Sequence, residues 1–380
     1  MAKLRAPWST PRKKPKKWAP RLSRGFSPDL LQGINTAVVK AAEGLEQAII
    51  RAVSRESTRP KVNRGGFLSR LRSIVGFGLG DVSKQAFRMG VDAEAVGKAT
   101  ARKHMVAKTP AKVDKWGGRK PPAPKAPRNV NLGVTIRTPA ALRDSFKDLA
   151  PTLIGSGSEL FDEVVEAIAA NPPESEAARR RVAQGVLDKF GKRGITGFVD
   201  KAGRRWNIVS YVEMATRTAA GNLAMGAHLA ELQAAGFDVV RVTVMPNCHP
   251  YCQPFQGRLL SITGRTLRYN GEPVVTSIAD AISRGFRHPN CRHTVYVWKP
   301  GDPFTPPDQI EPGDYEASQE LRRFEREVRA GKRKLAAAVT PEAQAKARRE
   351  IRDAQARIRA HVAETGVPRN RYREQVGVAL

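Results

Sequence analysis

Apolar residues recur at steps of three and four along residues 29–107: Leu30, Leu31, Ile34 and Val38, then Leu45, Ile49, Ile50 and Val53. That spacing lines one face of an α-helix. Glycines at 65–66 and again at 76–80 interrupt it, so the pattern predicts one helical stretch before them and a second over about 82–105. Residues 108–129 lose the period and are rich in Pro and Lys, the composition of a stiff extended linker, and a domain boundary is placed there. Past it, Leu160, Phe161, Val164, Val165 and Ile168 predict a helix over 157–171, stopped by Pro172 and Pro173. A second helix over 174–190 ends at Gly191. Residues 198–208 alternate around Ala202 and Gly203 as a short hairpin, and a long helix over 211–235 follows, with Asn207 or Ser210 as its cap and Gly236 as its stop.

The period then changes. Val239, Val240, Val242 and Val244 are β-branched and predict a strand; 259–262 and 294–298 predict two more, with a short helix near 277–283 between them. Residues 315–365 return to helix, broken at Val339-Thr340-Pro341, where Thr340 is a natural N-cap and Pro341 suits the first helical position. Arg369, Arg371 and Arg373 add a small basic cluster behind this hairpin. The expected fold is α+β, mostly helical, with a small mixed α/β module carrying Cys/His loops and a C-terminal antiparallel helical hairpin. It divides as a disordered basic arm (1–28), a helical region (29–107), the linker (108–129), a helical region with a short hairpin (130–235), the α+β module (236–314) and the helical hairpin with its basic tail (315–380).

Composition supports folding and narrows the setting. With 380 residues, 41% hydrophobic and 27% charged, the chain suits two or three compact units. No apolar run reaches the roughly 18 residues of a membrane span, and the Lys- and Pro-rich N-terminal stretch lacks a secretory core. Three cysteines make no disulfide framework and suit a reducing compartment. The 66 Lys and Arg against 36 Asp and Glu give a net charge of +30. Residues 1–150 hold 32 basic against 10 acidic side chains, a net of +22. A density this high points to a polyanion partner, nucleic acid first. Nine cations precede the first acid, Asp29; Arg12, Lys13, Lys14, Lys16, Lys17, Arg21 and Arg24 are the densest run, kept from helix by five prolines. Lysines and arginines release counterions from phosphates, and Trp8 and Trp18 can stack on unpaired bases or pack on a protein.

All three cysteines and three of the six histidines fall within residues 248–293. They read Cys248-His249-Pro-Tyr-Cys252, then, after a long gap, His288-Pro289-Asn290-Cys291-Arg292-His293. The spacing fits a structural zinc site of Cys248, Cys252, Cys291 and either His288 or His293. A two-residue gap separates His288 from Cys291, whereas Cys291 and His293 are one residue apart, which would strain a shared tetrahedron. Buried thiols without any ligand are the metal-free alternative. No Glu stands beside these residues as a base, and Glu272 and Asp280 read as solvated surface. On the long helix, Glu213 and Arg217 stand one turn apart and read as an intrahelical ion pair, and His228 as a buried polar contact.

Four stretches, YVEMATRTAAGNLAMGAH, CHPYCQPFQGRLLSITG, GFRHPNCRHTVYVWKPG and the arginine-rich helical pair, resemble the tailed-phage minor capsid protein 2 family, related to Mu-F-like head morphogenesis proteins. The resemblance covers about residues 195–380. Cys248, Cys252, Gln256, Gly257, His288, Pro289, Cys291, Arg292 and His293 match the family's motif, and Phe255 stands where such proteins often carry Trp. It implies a virion or procapsid component in the capsid interior or near the portal, met in the host cytoplasm during assembly. Its implied partners are phage DNA, the portal and other capsid or scaffold proteins in an oligomeric assembly, with no membrane. It implies no reaction. The alternative from another class is a metal-dependent nuclease or toxin-like effector carried in the head, working through His288 and His293.

Overall fold

The computed structural model describes residues 28–107, 138–170, 172–195, 198–199, 205–245, 248–289, 291–299, 302, 306 and 315–374. Arg12, Lys13, Lys14, Lys16, Lys17, Arg21 and Arg24 of the arm, the 108–129 linker and Asn290 lie outside the described residues.

Helices α1 (Pro28–Ser57) and α2 (Arg64–Ala107) open the fold. The break expected at 65–66 falls just earlier: the chain leaves helix after Ser57, and Asn63 Oδ1 accepts from the Gly66 N–H at 2.8 Å at the start of α2. The break expected at 76–80 does not exist. Helix α2 runs through it because Leu71, Val75, Leu79, Val82, Ala86 and Met89 continue one buried stripe across the glycines. Each interior glycine costs about 1 kcal/mol, while each large apolar side chain buried returns about 1.5–3 kcal/mol. Gly78 has a positive role: a Cβ there would fall 2.5 Å from Leu45 Cδ1, so its absence lets α1 lie close.

Helix α3 (Pro139–Ser145) was not expected; Thr138 caps it by accepting from Ala141 N. Helix α4 (Ala150–Ala170) begins a full two turns before the expected start, and Phe161 stacks on Phe67 of α2 at 4.1 Å. Helix α5 (Glu176–Arg193), capped by Ser175, runs past Gly191 to Gly194 at φ 72°. Strands β1 (Phe198–Val199) and β2 (Arg205–Trp206) pair antiparallel as the expected hairpin. Helix α6 (Ile208–Ala234) follows, with Asn207 as the cap, accepting from Val209 and Ser210 N–H groups. Its small residues admit α2 at close range. A Cβ on Gly97 would meet the Ala224 carbonyl oxygen at 2.1 Å.

Five strands form one sheet in the order β5-β6-β4-β3-β7. Strands β3 (Val239–Val242), β4 (Leu259–Ser261) and β7 (Val295–Tyr296) answer the three expected strands. Strand β3 pairs antiparallel with both neighbours, and β4 pairs parallel with β6 (Glu272–Ser277). The sequence reading missed β6 and β5 (Arg268–Tyr269). Their turn is Asn270-Gly271 at φ 48° and 81°, the both-positive pair that a tight hairpin favours. Helix α7 (Ile278–Ser283) starts on Ser277. Alternation splits the sheet: Val240, Val242, Leu260 and Val295 join the main core, while Val239, Leu259, Val274, Tyr296 and Trp298 pack on the other face.

Helices α8 (Tyr315–Ala337) and α9 (Pro341–Thr365) make the antiparallel hairpin, with Thr340 accepting from Ala343 N and Pro341 at the first turn, as expected. They share a small core of Ala317, Leu321, Phe324, Val328, Ala354 and Ile358. The inner side of α8 faces α5, α1 and α6 and is charged. Glu213 on α6 pairs with Arg217, with Arg329 at 3.1 Å and with Arg373 at 3.7 Å. Arg373 also lies 3.7 Å from Glu325. Of the expected C-terminal basic cluster, Arg373 is therefore a buried ion-pair partner, and Arg369 is held by Glu374 at 2.5 Å. The main core is continuous from α1 and α2 through α6 to Cys248, Cys252, Phe255 and Phe286, so the helices of both chain halves support the Cys/His loops.

Candidate metal centre

Two loops converge at the end of the sheet. The first leaves β3 and returns to β4. Its turn closes through Cys252 N donating to His249 O at 2.8 Å, and Phe255 N and Gln256 N both donate to Cys252 O. Gln256 then holds the loop's ends together: its Oε1 accepts from Met245 N at 3.1 Å and stands 3.4 Å from His293 Nε2. Gly257 takes φ 72°, which a side chain would strain, and donates to Val242 O. The Gln-Gly pair of the motif is thus a hinge between the strand and the second loop. Phe255 is buried against Phe286 with ring centroids 5.6 Å apart, a packing role.

The second loop runs from α7 to β7. Cys291 N donates to His288 O at 2.9 Å, turning the chain so that both side chains face the first loop. The loop is anchored by a residue the sequence reading overlooked. Arg287, at φ 65°, donates to His293 O at 2.7 Å and to Asn222 Oδ1 on α6 at 2.9 Å. Gly221 makes this possible, since a Cβ there would sit 2.7 Å from Arg287 Nη2. The Gly221-Asn222 pair was legible in the α6 motif as a small residue beside an amide acceptor, and Arg287 as the residue leading into the His-Pro-Asn-Cys run.

Cys252 Sγ, a His288 ring nitrogen and Cys291 Sγ lie within 4.8 Å of one another, close enough to hold one metal ion. The two sulfurs are 3.7 Å apart. Two thiolates on a tetrahedral zinc, each about 2.3 Å from it, are separated by about 3.8 Å. His293 stands beside this group with Nδ1 3.6 Å from Cys291 Sγ and Nε2 3.6 Å from Cys248 Sγ. His249 stacks on His288 at 4.3 Å and accepts from Tyr251 N through Nδ1. Pro289 and Arg292 are exposed on the rim.

The thiols are not equivalent. The contact with Cys291, together with burial, holds the Cys252 thiol above its ordinary range, while that same contact and His293 hold Cys291 well below its own. Burial pushes Cys248 up to about 12. Among the described residues no carboxylate joins this group: Glu272 pairs with Arg241 at 2.7 Å, and Asp280 receives the Thr276 hydroxyl and pairs with Arg284 at 3.3 Å. His228 is buried, as expected, and burial pushes it down to about 4 beside the Gly97 carbonyl.

Among the described residues no helix is long and apolar enough to cross a membrane. No curated protein and no solved structure gives a significant match to the chain. The family model for phage minor capsid protein 2 matches residues 111–363, a span that contains α3 to α8, the whole sheet, both Cys/His loops and nearly all of α9. With well over half of its length matched, the chain belongs to the phage minor capsid protein 2 family.

Proposed function

We propose that this minor capsid protein acts in head morphogenesis as a non-catalytic component near the portal that tethers itself to packaged DNA through its basic N-terminal arm. The observation that carries the reading is charge placement: a net of +22 in residues 1–150, with nine cations before the first acid. Phosphate neutralisation by such a segment makes affinity fall steeply as salt rises. Binding of the full chain to a short DNA duplex, measured from low to several-fold higher salt, should weaken by orders of magnitude. Affinity that stays constant would end the electrostatic reading. Removing residues 1–28 should lower DNA retention while leaving incorporation into heads; loss of incorporation alone would assign the arm to a protein partner instead.

Within the same reading the Cys/His loops hold a structural zinc ion, with Cys252, His288 and Cys291 as ligands and Cys248 as the fourth. Zinc bound there adds a covalent-strength clamp between two loops already joined by the Phe255–Phe286 and His249–His288 ring contacts and by a few hydrogen bonds. The donor set supports this because the grouped side chains are two thiols and an imidazole, the ligand types of structural zinc sites. Metal analysis of purified protein should give about one zinc per chain. Cys252→Ser and His288→Ala should lose it, and His293→Ala should keep it. A ratio near zero in the wild-type chain would remove the metal from the reading.

A further inference from the structure

Helix α9 packs chiefly against α8, which leaves its other side to solvent. At about 100° per residue, one sector of that side carries Arg348, Arg349, Arg352 and Arg359, interleaved with Ala345, Ala356 and Ala363. Each of these seven residues is exposed. Among the described residues none of the four arginines has an ion-pair or hydrogen-bond partner. Asp353 stands one turn after Arg349 without pairing to it, and Glu350 is turned to α8, where it holds Lys334 at 2.6 Å. The cations nearer α8 are matched in the same way: Arg357 pairs with Glu327 at 2.6 Å, and Arg323 pairs with Glu320 and Glu327.

We infer that this outer face of α9 is a second, folded nucleic-acid contact, binding the phosphate backbone of duplex DNA without reading its sequence. The inference rests on the proposed meeting with packaged DNA and gives it a site independent of the N-terminal arm. Three observations carry it. The four arginines extend over about 16 Å of helix, a length along which duplex DNA presents on the order of nine phosphates. In that sector Ala356 lies between the arginines and Ala345 and Ala363 flank them, small side chains that let a phosphate backbone approach. None of the large exposed apolar side chains of the described residues, such as Phe77, Tyr251 and Leu267, lies on α9, so the face lacks the anchors that a protein partner would fill. Cations without anchors suit phosphates, whose contacts position a protein and carry no base information.

The test is a four-way comparison in the full chain. One variant replaces the four α9 arginines by Gln, which keeps helix propensity. A second replaces Arg12, Lys13, Lys14, Lys16, Lys17, Arg21 and Arg24 by Gln, a third carries both sets, and the fourth chain is wild type. Each is titrated with a mixed-sequence 30-bp duplex from low to high salt. The α9 set should lower the slope of log K against log salt by about three to four, in both arm backgrounds, and an Arg→Lys version of the four should restore it. An unchanged slope overturns the inference. If neutralising the arm alone abolishes binding, the arm reading stands and the α9 site falls; if it changes nothing and the α9 set abolishes binding, the arm reading falls and the α9 site stands. A variant that binds DNA as wild type but fails to enter heads assigns α9 to an acidic protein surface and overturns the inference.

Discussion

The inner side of α8 and the outer side of α9 are both lined with arginine. On α8, Arg329 and Arg333 are less than a tenth exposed, and each faces a carboxylate on another helix, Glu213 for the first and Glu46 at 4.0 Å for the second. On α9, Arg348, Arg349, Arg352 and Arg359 are exposed and face none. Removing an ion from water costs several kcal/mol, so a buried guanidinium persists only where carboxylates answer it. An exposed one carries no such cost, and the sequence is free to leave it unmatched. Unmatched cations are therefore informative only outside the seam, where they remain available to a polyanion.

The comparison breaks most visibly at Glu213. Glu213→Ala leaves Arg217, Arg329 and Arg373 gathered without their shared carboxylate, and urea unfolding should show a loss of about 3–5 kcal/mol. A loss under about 1 kcal/mol would mean that the seam is wet and that the two helices differ only in appearance.

Acidity separates two carboxylates within the seam itself. Burial pushes Glu325 up to about 7 against the pull of Arg322 and Arg329. Its stabilising contribution is complete below its ordinary value of 4.5 and is lost as pH rises through 7, at most about 3 kcal/mol at roughly 1.4 kcal/mol per unit. Burial would also raise Glu213, but Arg217 and Arg329 outweigh it and hold the group low, so its contribution is present above pH 4.5 and is lost on acidification below that. Glu325→Gln should flatten the decline in stability between pH 4.5 and 7 and leave the acid limb in place. A decline that survives the substitution would show that Glu325 ionises normally.

The smallest effect sharpens the contrast. Replacing the four outer arginines of α9 by Gln should move the unfolding free energy by about 0.5 kcal/mol or less, while the salt dependence of DNA binding falls. A loss of 2 kcal/mol or more, on the order of a buried-contact mutation, would make these arginines structural.

Local signals carried far along the chain. Thr340 caps α9 as expected and Asn207, one of the two candidates, caps α6, through acceptors that need only the following three residues; Ser175 and Ser277 do the same for α5 and α7 without having been singled out. The intrahelical pair Glu213 to Arg217 was legible from a four-residue step. Asn270-Gly271 was equally local and was overlooked, which cost the β5–β6 hairpin. Gly76 to Gly80 misled for the opposite reason. Glycine propensity is local, but the burial that outweighs it comes from α1, which sequence spacing does not place beside α2. At the Cys/His loops the residues were evident as a cluster, whereas their distances were not: His288 lies within reach of both Cys252 and Cys291, while His293 stands between Cys291 and Cys248 and reaches Gln256.

By itself the sequence determined most of the helices and three of the five strands of the main sheet, the Thr340 cap, which six Cys and His residues could act together and where the charge is concentrated. Each of these depends on neighbours within a turn or two, or on composition alone. Only the tertiary structure decided which charges are matched between separate elements. Glu213 meets Arg329 across 116 residues, and Glu46 meets the Ile195 N–H across 149. Pairings at such separations follow from how whole helices pack, and packing is what divides an equally basic hairpin into a sealed inner side and an open outer one.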